Sequence, residues 1–181
     1  SQATVGMLGY QYNLTLDMVH ENSKVDAFAI ADQLVYDAAE VNGEWTQSVT
    51  DLSKMDNVGA SLDALAGWAL EDLEVRSSVI HAAIDEARGL DNWYKEYYLD
   101  LKDFGNVLSE STDPVVAKYG ESIVANLNDA VVANYTNNPY AWAGGLDVNT
   151  DLTMKWLLGY MDGSWAQESR WDDLLMAMAL L

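Results

Sequence analysis

Hydrophobic positions recur at steps of three and four residues through most of the chain, the signature of amphipathic helices. Val25, Phe28, Ala29, Leu34, Val35 and Ala38 share one stripe and predict a helix over 24–41, stopped by Asn42-Gly43. A shorter helix is predicted over 13–21. Val58, Leu62, Leu65, Ala69, Leu73, Arg76, Ile80, Ala83 and Ala87 form the longest stripe. It predicts one helix over 56–88, capped by Ser53 or Asp56 and ended at Gly89. Leu101 opens a short helix to about Ser109. Thr112-Asp113-Pro114 is a helix start, with a capping side chain before a first-turn proline, and that helix is predicted to reach Asn134. Asn137-Asn138-Pro139 breaks it, and helices over 151–160 and 165–180 close the chain.

A second pattern interrupts the first. Over 45–52, Trp45, Gln47, Val49 and Asp51 alternate with Thr46, Ser48, Thr50 and Leu52, which predicts a strand. Residues 93–101 read as a short strand or turn, and 140–149 contain a Gly pair and a predicted strand. Residues 1–12 (SQATVGMLGYQY) hold two glycines and no periodicity, so they read as a loop. No Pro-rich linker, low-complexity tract or internal repeat divides the 181 residues, so one body is expected.

Composition adds a packed core and a strong charge. Half the residues are hydrophobic, so disorder is not expected. Seven Trp and ten Tyr stand against two Phe, which places many rings where apolar surface meets a polar partner. With 29 Asp and Glu against nine Lys and Arg, the net charge is −20. Such a field argues against nucleic acid and anionic lipid as partners. It suits a secreted or salt-adapted protein, or one that meets basic peptides. No run approaches a membrane-spanning length of about 18 apolar residues. Ser1 reads as a processed or truncated start, and the gene product is expected to be longer.

Candidate chemistry is sparse. Cysteine is absent, which excludes thiol chemistry within these residues. His20 and His81 read as structural, although His81 and Asp85 are four apart on a helix. No G-x-S-x-G elbow or phosphate-binding glycine loop is present. Asp147, Asn149 and Asp151 alternate as the start of a calcium loop does, but Leu152 and Leu158 occupy its glycine and glutamate places. No other cofactor is indicated. Asp100, Asp103 and Asp172-Asp173 read as solvated caps. Asn13-Leu14-Thr15 and Asn134-Tyr135-Thr136 fit the short glycosylation triplet.

Several segments fall in the order of a known family. Thr50-Asp51-Leu52-Ser53-Lys54-Met55, then Leu62-Asp63-Ala64-Leu65-Ala66, resemble a strand ending in an IDLSK-like stretch before a long helix. Ala87-Arg88 resembles the AR near that helix's end. Leu99-Asp100-Leu101-Lys102-Asp103-Phe104 is similar to a D-L-x-D-F motif. Ala125 to Asn134 resembles a helix carrying L-x-x-A-V-V, and Trp171-Asp172-Asp173-Leu174-Leu175 is similar to a closing W-D-x-F-L. Ser1-Gln2, Gly6, Gly9 and Tyr12 resemble an S-E/Q-x-x-x-G-x-G-x-x-Y loop. Together these resemble the clostripain-like cysteine peptidases over nearly the whole chain.

The resemblance implies an α/β fold: the C-terminal part of a caspase-like three-layer fold, helix-dominated with a few short strands. It also implies a His–Cys dyad that cuts after basic residues. Both dyad members would precede this segment, on an N-terminal peptidase segment of the same gene product. No residue here would be catalytic. Ser1, Gln2, Thr4, Gly9 and Tyr12 would line one wall of the groove for a peptide or protein substrate, in an extracellular or cell-surface setting. Three features depart from the family, the first being that its internal cut usually falls before the Cys, which a natural heavy chain should therefore keep and this chain does not. Gln2 stands where an acid is commoner, and Gly145-Leu146-Asp147-Val148-Asn149 is more polar than the family's G-L-S-I-Y-F-P strand. A non-catalytic binding or structural module of the same fold, and an unrelated all-α scaffold, remain open alternatives.

Overall fold

The computed structural model describes residues 12–41, 46–89, 98–136, 141–150 and 169–181. Helices dominate them: α1 (Tyr12–Glu21), α2 (Ala27–Val41), α3 (Met55–Leu70), α4 (Leu73–Glu86), α5 (Leu101–Ser109), α6 (Pro114–Ala130) and α7 (Trp171–Ala179). Four short strands accompany them: β1 (Thr46–Thr50), β2 (Tyr98–Asp100), β3 (Val131–Thr136) and β4 (Asp147–Asn149). A 3-10 turn, Leu52–Lys54, joins β1 to α3. The α/β class expected from the sequence is therefore observed.

The predicted strand over 45–52 is present as β1, and it pairs antiparallel with β3, Ser48 opposite Asn134. That pairing removes the all-α alternative. The ladder slips between Val49 and Thr50, and Asp51 N–H donates to Ala130 O at 2.8 Å to continue it toward α6. β2 and β4 form a second antiparallel pair, with Asp100 directly opposite Asp147.

Two helix predictions are corrected. The stripe over 56–88 spans two helices, because Asp72 leaves helical geometry at φ −148°, ψ 68°. Arg76 fastens the corner: Nη1 donates to the Trp68 carbonyl and to Glu71, and the guanidinium lies 4.9 Å from the Trp68 ring centre. The helix predicted to Asn134 ends at Ala130, and Val131-Val132, β-branched and therefore suited to a strand, begin β3.

The core gathers the predicted stripes. Val58, Leu62 and Leu65 of α3 meet Phe104 and Leu108 of α5, Ile123 and Leu127 of α6, and Trp171, Leu174 and Leu175 of α7, all buried. α5 and α6 approach so closely that a Cβ on Gly120 would lie 2.3 Å from Ser109 N. Only a glycine fits there.

Candidate functional site

Of the residues that the family resemblance assigns to the substrate groove, Ser1, Gln2, Thr4 and Gly9 lie outside the described residues. Tyr12 is the first residue of α1 and is 61% exposed. His20 lies exposed in the last turn of α1, and His81 is half-buried within α4. Of the candidate calcium ligands, Asp147 and Asn149 sit two apart on β4, and Asp151 lies outside the described residues. Among the described residues no helix is long and apolar enough to cross a membrane, and no group of three His, Cys, Asp or Glu could hold a metal ion.

The structure instead brings together the motif residues. Asp100, with no exposed surface, caps α5. Its Oδ1 accepts the Asp103 N–H at 2.9 Å and its Oδ2 accepts the Gly144 N–H at 2.6 Å. Burial pushes the Asp100 carboxyl above the usual carboxylate range, against those backbone donors. Asp103, one turn on, faces Arg88. The Arg88 N–H donates to Oδ2 at 2.8 Å, Nε donates to Oδ2 at 3.0 Å, and Nη2 donates to Oδ1. Burial raises the Asp103 pKa, but these three donors more than offset it and leave the carboxyl below its ordinary value. The Arg88 guanidinium also lies 4.5 Å from the centre of the Trp142 ring.

Across the ladder from Asp100, Asp147 is pushed up to about 7, by burial first and then by the negative charge of Asp100. Its Oδ1 is buried with no hydrogen-bond partner. Gly145, two residues earlier, has φ +105°, which favours glycine, and its carbonyl accepts the Ser48 hydroxyl at 2.6 Å. This bond ties the β4 loop to β1. Trp171 fastens the other end: Nε1 donates to the Asn149 carbonyl at 2.8 Å, and the ring meets Phe104 edge-on at 5.8 Å. Beside Asp147, Met55, Val58, Leu62, Tyr98 and Leu101 help to line an apolar pocket of about 260 Å³.

The remaining motifs are fasteners too. Asp51 accepts the Ser53 N–H at 2.9 Å and its hydroxyl at 2.7 Å, and these bonds hold its pKa below the ordinary value. Lys54 reaches Asp129 on α6 at 3.1 Å. Asp63 receives the Arg170 N–H and its guanidinium fork, joining α3 to the start of α7. The reading of Asp100, Asp103 and Asp172 as solvated caps is corrected. All three are buried, and Asp172 Oδ1 lacks a hydrogen-bond partner. Flanking Leu99 and Leu101 are the signal in the sequence that Asp100 enters the core.

Asp51, Asp63, Asp100 and Asp103 are committed to backbone N–H groups, to the Ser53 hydroxyl and to arginines, so these four carboxylates position elements. They form the scaffold of an α/β domain. The chain belongs to the Clostripain family, a family of cysteine peptidases, whose family model matches residues 1–177. No curated protein and no solved structure matches it.

Proposed function

We propose that this chain is the C-terminal portion of a secreted clostripain-like cysteine endopeptidase with a caspase-like three-layer fold. The observation that carries the reading is the family match over residues 1–177 in a sequence that contains no cysteine. A cysteine peptidase requires a thiolate activated by a base. In this reading an N-terminal segment of the same gene product supplies both, as its Cys and His. The present chain then completes the fold, and Ser1, Gln2, Thr4, Gly9 and Tyr12 form one wall of the groove. In this reading the strand pairs β1–β3 and β2–β4 belong to the central layer, with the Asp100–Gly144 contact tying the β4 loop to the start of α5 and the Arg88–Asp103 pair joining the end of α4 to α5. The −20 charge suits work outside the cell on basic peptides.

The test is to read the gene upstream of Ser1 and then assay the whole product. The proposal expects an Asp-x-Cys sequence shortly before Ser1. It also expects cleavage of peptidyl-Arg or peptidyl-Lys substrates that a thiol alkylator abolishes. An upstream sequence in which the Cys and His are replaced, with no cleavage by the full product, would instead establish a non-catalytic module of this fold.

A further inference from the structure

A groove runs between α4, α5 and the first turn of α6. Its volume is about 440 Å³. Val79 and Ala82 of α4, Val107 of α5 and Val116 of α6 line it with apolar surface, Ser78 and Ser111 add hydroxyls, and Glu86 and Glu110 stand exposed beside them. No cation lines it. Val75, Val79, Ala82 and Glu86 follow one another on α4 at helical steps, so the apolar stripe continues out of the groove through Val75, which is 64% exposed. Val115, beside Val116, is also exposed. A surface valine alone needs no explanation. Here Val75 continues the apolar side of an open groove whose charged lining residues, among those described, are both glutamates, and this defines a shape and a charge.

We infer that this groove docks an amphipathic helix of a partner protein, with its apolar face on the α4–α5 floor and Lys or Arg residues against Glu86 and Glu110. An open trough between helices, lined at three- and four-residue steps, suits the helix-in-groove mode of recognition. The rim charge selects a basic helix over an acidic one, and the chain's −20 charge speeds its arrival.

The probe is a designed amphipathic Leu/Ala peptide of roughly four helical turns, flanked by lysines, with a glutamate-flanked counterpart. Binding is measured by titration calorimetry at physiological salt, against wild type, Ala82→Gln and the double variant Glu86→Lys/Glu110→Lys. All three substituted positions are exposed, and unchanged far-ultraviolet circular dichroism confirms the fold. The lysine peptide should bind wild type with a Kd on the order of 10–100 μM. Ala82→Gln, which adds neutral bulk to the floor, should weaken it by about tenfold. The double variant should lose the lysine peptide and gain the glutamate one. The inference is overturned if neither peptide binds at about 1 mM. It is equally overturned if either variant leaves lysine-peptide binding unchanged, since that pattern is diffuse attraction to an acidic protein.

Discussion

Asp147 is a carboxyl whose burial opposes its charge, and this makes the stability of the protein depend on pH in a defined direction. Its folded pKa of about 7 stands above the ordinary 3.8. Below pH 4 both folded and unfolded chains carry the proton. Between 4 and 7 only the folded chain retains it, so this group's contribution to stability falls as pH rises. Above 7 the fold must hold a charged Asp147 opposite Asp100. Asp147→Asn should therefore stabilise the protein by about 2 kcal/mol at pH 8 and by almost nothing at pH 4. Urea unfolding midpoints at the two pH values measure this. A gain of the same size at both would show that charge is not the cause. Trp171 supports the opposite prediction, because its ring and its Nε1 are both satisfied in the core. Trp171→Ala should cost about 3–5 kcal/mol by emptying that space. Trp171→Phe, which keeps most of the packing and loses the bond to Asn149, should cost about 1–2 kcal/mol.

Among the elements, caps and switches decide what the periodicity does not. Asp113 accepts the Val115 N–H at 2.8 Å ahead of Pro114, and the sequence motif Thr-Asp-Pro announced that helix start. Asp113→Ala should destabilise by about 1 kcal/mol, while Asp113→Asn or Asp113→Ser should retain most of the stability. Thermal melts of the three variants test the ranking. β1 was legible because the strand formers Thr46, Val49 and Thr50 fall in an alternating stretch, and α5 because Leu101 opens a new stripe. The α3–α4 corner was not legible, since Ala69, Leu73 and Arg76 keep helical spacing across a backbone break at Asp72. The return of Arg76 onto the Trp68 carbonyl and Glu71 helps to fix that corner, and side-chain periodicity does not announce it. The end of α6 was missed for a related reason. Ala130 to Asn134 satisfies a helical reading, and β3 forms because β1 is there to pair with it. The motif residues were legible as family markers, but their role as fasteners was not. Arg88 and Asp103 are separated in sequence and meet only through the fold.

For the whole molecule the controlling quantity is −20. Four ion pairs among the described residues, Lys54–Asp129, Arg76–Glu71, Arg88–Asp103 and Arg170–Asp63, engage one acid each. With nine cations against 29 acids in the chain, most carboxylates must face one another through solvent. Folding concentrates that charge, and the repulsion it creates opposes the compact state. At about 10 mM salt the Debye length is roughly 30 Å and repulsion spans the protein, whereas at 0.5 M it falls to a few Å. Raising sodium chloride over that range should therefore raise Tm by several degrees at pH 8, a gain on the order of 1–2 kcal/mol. Screening of exposed ion pairs works the other way, but each such pair contributes less than about 1 kcal/mol. Sodium sulfate at matched ionic strength separates this effect from general salting-out, because sulfate also strengthens apolar burial. The same chloride series at pH 4, where many of the carboxylates are protonated, should show a much smaller rise. A Tm that falls with chloride at pH 8 would mean that attractive pairs, rather than the excess of acids, dominate the electrostatics of this fold.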